Sequence, residues 1–212
     1  MSFTSVVIDY GAGNLRSIER ALAVAGLSPR VVSDPAAVGE PDLLVLPGQG
    51  HFGQVARAFR VSGFESAVRD HVAGGRRFLG ICVGLQLLLD GSDEAPGEPG
   101  LGLLPGWVRR FPRGAAPVPQ MGWNRLTKGT DFPLLTGVAS GAYVYFANSY
   151  YADVDLEHRP AASATTEYAG VSFLSAFSLG NVHATQFHPE KSQTVGLRVL
   201  ANLAAVTHGA AA

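Results

Sequence analysis

The stretch that most limits what this chain can fold into is Phe78-Leu79-Gly80-Ile81-Cys82-Val83-Gly84-Leu85-Gln86-Leu87-Leu88-Leu89. Its first part is an apolar run suited to a buried strand, and Leu85 to Leu89 suits the start of a helix. Cys82, the only cysteine, sits at the corner between Gly80 and Gly84. A tight strand-to-helix turn needs such small flanks, because a side chain on either would crowd the backbone. The pattern is the thiol counterpart of the G-x-S-x-G elbow. A helix starting there would aim free N–H groups and its positive dipole end at the sulfur, favouring the thiolate. The competing reading is a small buried hydrophobe, the commoner fate of a free cysteine.

The elbow strand reads as the fourth of a series. Val6-Val7-Ile8 is a β-branched run fit for a buried parallel strand, followed by the turn Asp9 to Asn14. A helix over Leu15 to Ala25, with Ile18, Leu22 and Ala25 on one face, closes at Gly26. Arg30-Val31-Val32 and Leu43-Leu44-Val45-Leu46 read as further strands, the latter ending at Pro47-Gly48-Gln49-Gly50. Helical spacing then runs from Phe52 to Val72, interrupted at Ser62-Gly63. Strands alternating with helices imply right-handed crossovers and an α/β protein with an open, mainly parallel, doubly wound sheet.

After Asp90 the texture changes. Gly91 to Gly100 is a polar, helix-breaking loop. Shorter strands are expected over Gly106 to Phe111, Met121 to Leu126, Ala142 to Tyr151, Ala162 to Glu167, Val171 to Ala176 and Val182 to Phe187. These suggest an antiparallel segment added to the parallel sheet. A last helix spans Ser192 to Val206, with Val195, Val199, Leu203 and Val206 along one stripe. With no internal repeat and no clear linker, residues 1–212 read as a single domain.

Composition excludes several classes. Sixteen Lys and Arg against 17 Asp and Glu give no electrostatic case for nucleic acid or an acidic membrane surface. One cysteine rules out an internal disulfide framework and suits a reducing compartment. The N-terminus lacks the marks of a signal peptide. The uncharged stretches Phe132 to Ala152 and Tyr168 to Pro189 are broken by Gly, Ser, Asn or His and do not read as spanning helices. A soluble protein is expected.

A cysteine nucleophile needs a base, and the base needs an orienting group. His188-Pro189-Glu190 offers both just past a strand end, two positions apart, and the proline favours extension of His188. His51, His71, His158, His183 and His208 have no such context. Oxyanion donors are expected from the Val83 N–H and from Gly48-Gln49-Gly50 at the end of another strand. That loop also matches G-x-G-x-x-G through Gly53, with Asp70 about twenty residues on. The match follows the third strand rather than the first, and Asp70 falls in a helical pattern, so a dinucleotide site is disfavoured. No metal is expected, because no ligand cluster has suitable spacing.

Together these motifs resemble the class I (triad) glutamine amidotransferases over nearly the whole chain. Gly80 to Gln86 resembles the nucleophile motif, Gln186-Phe187-His188-Pro189-Glu190-Lys191-Ser192 the His/Glu motif, and Pro47 to Gly50 the oxyanion strand. Asp9 to Ser17, Pro119-Gln120-Met121-Gly122-Trp123-Asn124 and Tyr145 to Tyr151 narrow the resemblance to the glutaminase subunits of imidazole glycerol phosphate synthase.

The resemblance implies a flavodoxin-like fold, no cofactor, a cytoplasmic location in histidine biosynthesis, and L-glutamine as substrate. Cys82 would form a glutamyl thioester and release ammonia, His188 would shuttle the proton, and Glu190 would orient it. Gln86, Ser149 and Tyr150 match positions that hold the glutamine's charged ends. The implied partner is a separate (β/α)8 cyclase subunit, which takes the ammonia and forms imidazole glycerol phosphate and AICAR from PRFAR. Asn14, Trp123, Tyr145 and Lys191 match positions at that interface. The family usually has Val at Gln49 and His at Asn148. A different synthase partner, or a non-catalytic assembly protein on the same fold, are the alternatives.

Overall fold

The computed structural model describes residues 3–129, 132–154, 160 and 162–205. Five parallel strands form its centre: β1 (Thr4–Ile8), β2 (Ser28–Val32), β3 (Leu43–Leu46), β4 (Arg77–Ile81) and β13 (Val182–Thr185). They lie in the order β2-β1-β3-β4-β13, the flavodoxin-like order of a doubly wound sheet. Every side chain of β3 is buried, because both faces of a parallel sheet are covered and leave no polar side.

Helices α1 (Leu15–Val24), α2 (Phe52–Val61) and α3 (Phe64–Ala73) supply the crossovers. α1 packs with α5 (Gln193–Ala205), and α2 with α3. The chain leaves β1 toward one edge and returns through β3 toward the other. Right-handed crossovers in opposite directions put the two helix groups on opposite faces. α1 buries Ile18, Ala21 and Leu22, and Gly26 at φ +83° closes it as expected.

Beyond β13 the sheet turns antiparallel through β12 (Val171–Leu179), β10 (Tyr150–Asp153) and β6 (Trp107–Arg110), with β5 (Gly91–Ser92) parallel to β6 at the edge. β11 (Ser163–Tyr168) pairs with β12 and with the short β8 (Thr127–Lys128). β7 (Gln120–Arg125) and β9 (Tyr143–Asn148) form a separate antiparallel ribbon. The antiparallel addition expected after Asp90 is therefore present.

Several boundaries differ from the sequence reading. The helix after Cys82 is the single turn α4 (Val83–Gln86); beyond it the carbonyls of Leu87 to Leu89 accept from the N–H groups of Leu101 to Leu104 instead of continuing the helix. The expected strand Ala142 to Tyr151 divides at Ser149, so β9 and β10 serve different sheets. The polar loop after Asp90 contains β5. In α5, Val199 and Leu203 are buried, but Gly196, Leu200 and Asn202 join them. Val206, the tail beyond it, His158 and His208 lie outside the described residues. Among the described residues no helix is long and apolar enough to cross a membrane.

Candidate active site

The carboxyl ends of β3, β4 and β13 stand side by side and carry, respectively, Pro47–Gly50, Cys82 and the Gln186–His188 segment. The register pairs Thr185 with Ile81 and Gly80 with Leu46, so three sequence-distant segments meet at one edge. The Cys82 N–H donates to the Thr185 carbonyl at 2.7 Å, tying the corner to β13.

Cys82 occupies φ +55°, ψ −108°, a backbone conformation that a non-glycine residue adopts only when its surroundings impose it. Here the surroundings are glycine contacts. A Cβ on Gly80 would lie 2.7 Å from the Gly84 carbonyl oxygen, and one on Gly84 would overlap the Leu46 carbonyl. A Cβ on Gly48 would collide with the Val83–Gly84 backbone, so the loop expected to supply oxyanion donors lies directly on the elbow. Because α4 is one turn, any electrostatic help to the sulfur comes from its first N–H groups rather than from a long helix dipole.

His188 Nδ1 and Glu190 Oε1 are 2.8 Å apart, and both side chains are almost completely buried. The pair was expected from alternation along an extended segment, but that reason is wrong. His188 is extended at φ −93°, ψ 98°, whereas Pro189–Lys191 is a 3-10 turn that swings Glu190 back to the ring. A carboxylate only accepts, so Nδ1 carries the proton that faces it, and Nε2 is left for the sulfur. The ring hydrogen-bonds Cys82 as well. Burial drives the imidazole toward neutrality; the hydrogen bonds to Cys82 and Glu190, with their charges, outweigh it and raise the pKa to about 10. The His188 N–H donates to the Tyr145 carbonyl, and Ser192 Oγ donates to the His188 carbonyl at 2.7 Å. The ribbon of β7 and β9 thus braces the base.

The Val83 N–H sits at the first position of α4, where it has no partner within the helix. Gln49 and Gly50 are exposed. Behind them, the Tyr10 hydroxyl donates to the Pro47 carbonyl at 2.6 Å. Burial, then the charge at Cys82, hold that phenol far above its ordinary pKa, so it remains a donor.

A cavity of about 320 Å³ opens onto Cys82 and is lined by Gln49, Gly50, Val83, Gln86, Ser149 and Tyr150 among others. The expected nucleophile, oxyanion loop and substrate residues are therefore together. Asn148 also lines it; its Nδ2 donates to the Tyr150 carbonyl at 2.9 Å. Glu94 lines it too and was not expected. Its Oε2 accepts from the Phe52 N–H at 2.7 Å, which pins the loop after β5 to the start of α2. An acidic residue in a polar loop carries no sequence mark of this role. Gln186 was quoted only as part of a motif, yet its Nε2 lies 3.6 Å from Cys82 Sγ.

The expected interface residues border this mouth. Lys191 and Tyr145 line the cavity, the Lys191 Nζ lies 5.8 Å above the Tyr145 ring, and Trp123 packs edge-on against the same ring at 6.0 Å. Gly13 abuts Pro47, which sets Asn14 beside the oxyanion loop. Trp123 is 46% exposed, with Met121 and Tyr143 also exposed on the same ribbon.

Other candidates resolve differently. Asp70 is exposed on α3, accepting from Ser66 Oγ, and Gly53 packs its backbone against Ala95; neither serves a dinucleotide. His51 caps α2 by accepting from the Gly53 N–H, His71 bonds the Arg77 carbonyl at 2.7 Å, and His183 bonds Ser178. Among the described residues no group of three or more His, Cys, Asp or Glu could hold a metal ion.

A thiol at an elbow, an imidazole and a carboxylate thus meet at one edge of this sheet. Residues 6–205 match the family model of the class-I glutamine amidotransferases, and the chain belongs to that family. Within it the chain groups with the HisH subunits of imidazole glycerol phosphate synthase. The HisH subunit of Deinococcus radiodurans is 54% identical over 198 residues, covering 93% of this chain and 91% of the relative. A HisH subunit of Thermus thermophilus is 54% identical over 201 residues, covering 95% and 96%. PurLQS from Thermotoga maritima superposes with a TM-score of 0.75 at 20% identity, covering 97% of this chain and 99% of that one. A glutamine amidotransferase crystal structure superposes with a TM-score of 0.70 at 22% identity, covering 95% and 99%. At those identities the likeness is one of fold.

Proposed function

We propose that this single-domain chain is the glutamine amidotransferase subunit of imidazole glycerol phosphate synthase and that Cys82, His188 and Glu190 do its chemistry. The observation that carries the assignment of residues is the 2.8 Å His188–Glu190 contact beside the elbow thiol. His188 holds the thiol proton, and Cys82 Sγ attacks the side-chain carbonyl carbon of glutamine. The carbon–nitrogen bond breaks as His188 protonates the leaving nitrogen, giving ammonia and a thioester. Water, deprotonated by His188, then attacks; glutamate forms and the thiolate leaves.

The Val83 N–H and an N–H of Gly48–Gly50 are the oxyanion donors. Gln86, Ser149 and Tyr150 hold the amino-acid end of the substrate, and the Glu94 carboxylate is placed to receive its ammonium. A glutaminase with no acceptor for its ammonia would waste substrate. We therefore place the control in the loop Gly48–Gly50, badly aimed in the free chain and corrected when the (β/α)8 cyclase subunit docks over Asn14, Trp123, Tyr145 and Lys191. One missing donor costs ~10²–10³-fold in turnover. The cytoplasm, where the lone thiol stays reduced, is the matching compartment.

Glutamate release from glutamine by the purified chain, alone and with the cyclase subunit and its ribonucleotide ligand, tests the proposal against a Cys82→Ala blank. A low rate that rises steeply with liganded partner is expected. No release in any mixture overturns it, and equal rates with and without partner overturn the control by the loop.

A further inference from the structure

The sulfur has a second polar neighbour besides His188. Gln186 is fully buried, its own N–H spent on the Ser175 carbonyl at 2.8 Å. Its Nε2 reaches Cys82 Sγ at 3.6 Å, and its Oε1 lies 3.1 Å from Gln86 Nε2. Gln86 Nε2 in turn donates to the Tyr150 carbonyl at 3.1 Å.

The direction of this chain is set by chemistry. A backbone carbonyl can only accept, so Gln86 must turn its NH2 toward Tyr150. The second hydrogen of the same NH2 then points at Gln186, which must answer with oxygen. With its oxygen committed, Gln186 has only its NH2 to offer the sulfur. One carbonyl thereby fixes two amides, and the outcome is an N–H aimed at Cys82.

We infer that Gln186 is a positioning residue for the nucleophile: it donates to the thiolate and links it to the substrate-facing amide of Gln86. A donor gains most from a charged acceptor, so the bond favours thiolate over thiol. It weakens when the sulfur is acylated and is restored as the sulfur leaves, so it raises the share of thiolate before attack and helps the thiolate depart in deacylation. The inference rests on Cys82 being the nucleophile of the proposed function.

Alkylation of Cys82 in the full chain by iodoacetamide, measured as a rate against pH, reads the thiolate without needing glutamine turnover. The titratable groups facing the sulfur or its cavity are His188, with Glu190 behind it, Tyr10, Glu94, Tyr145, Tyr150 and Lys191. All remain in the variants, and the inflection belongs to the coupled Cys82–His188 pair. The wild-type inflection is expected below the ~8.5 of an ordinary thiol. Gln186→Leu should raise it by about one unit, the value of one hydrogen bond to a charged group. Gln186→Glu, almost isosteric and unable to donate when ionised, should raise it at least as far and serves if the leucine variant does not fold. Folded variants that keep the wild-type inflection overturn the role of Gln186 alone. A wild-type inflection at the ordinary thiol value removes the activated nucleophile, and both readings fall together.

Discussion

Glu190→Gln changes one atom type at the buried contact that orients the base. In the wild type the carboxylate accepts from Nδ1 at 2.8 Å in a buried pocket, which makes Nε2 the nitrogen that exchanges a proton with the sulfur. A glutamine can turn its NH2 to the ring instead. Nδ1 then becomes the acceptor, the proton moves to Nε2, and the base faces the thiol in the wrong tautomer. The loss of tautomer control in a comparable triad is ~10⁴-fold in turnover, so a fall of ~10³–10⁴-fold is expected, or ~4–5.5 kcal/mol of transition-state stabilisation. The assay is glutamate release at saturating glutamine with liganded partner. A variant within about ten-fold of wild type would refute the argument that Glu190 sets the tautomer. Stability gives an independent reading. His188 titrates at about 10 in the fold against ~6.5 unfolded. Its proton therefore stabilises the fold fully below the unfolded value, and that contribution is lost as pH rises through about 10. In Glu190→Gln the decline of the alkaline melting profile should start at the same pH, set by the unfolded chain, but be smaller and end at lower pH.

Three other outcomes follow from single contacts. Gly84→Ala puts a methyl group onto the Leu46 carbonyl; calorimetry should show a loss of at least ~2 kcal/mol, about 4–8 °C in a chain of this size. Tyr10→Phe strands the buried Pro47 carbonyl that now accepts at 2.6 Å. The loss should be ~1–3 kcal/mol by denaturant titration, with a changed basal glutaminase rate because the oxyanion loop loses its anchor. Trp123→Ala removes a half-exposed ring that packs only edge-on against Tyr145. Stability should change by less than ~1 kcal/mol, while affinity for the cyclase subunit, by titration calorimetry, should fall at least ~30-fold.

Much of this site is legible in one dimension because its signals are local. The elbow announces itself through Gly80 and Gly84, since the turn cannot accommodate a Cβ at either place. The crossover strands announce themselves as unbroken apolar runs, since a sheet covered on both faces has no polar side. His188 and Glu190 announce themselves by adjacency, even though a 3-10 turn, and not strand alternation, joins them.

Other features follow from register. Nothing near Gln186 in the chain says that it meets a sulfur 104 residues away; that follows from β13 lying parallel to β4 with Thr185 opposite Ile81. The Phe52 N–H holds Glu94 at the cavity, and α4 stays one turn long because the carbonyls of Leu87 to Leu89 are taken by the N–H groups of Leu101 to Leu104. Backbone sterics and side-chain periodicity act over a few residues and are written in the chain. The pairing of distant strands, and the direction of each amide within it, depends on which carbonyls and N–H groups the packed sheet brings within about 3 Å of one another.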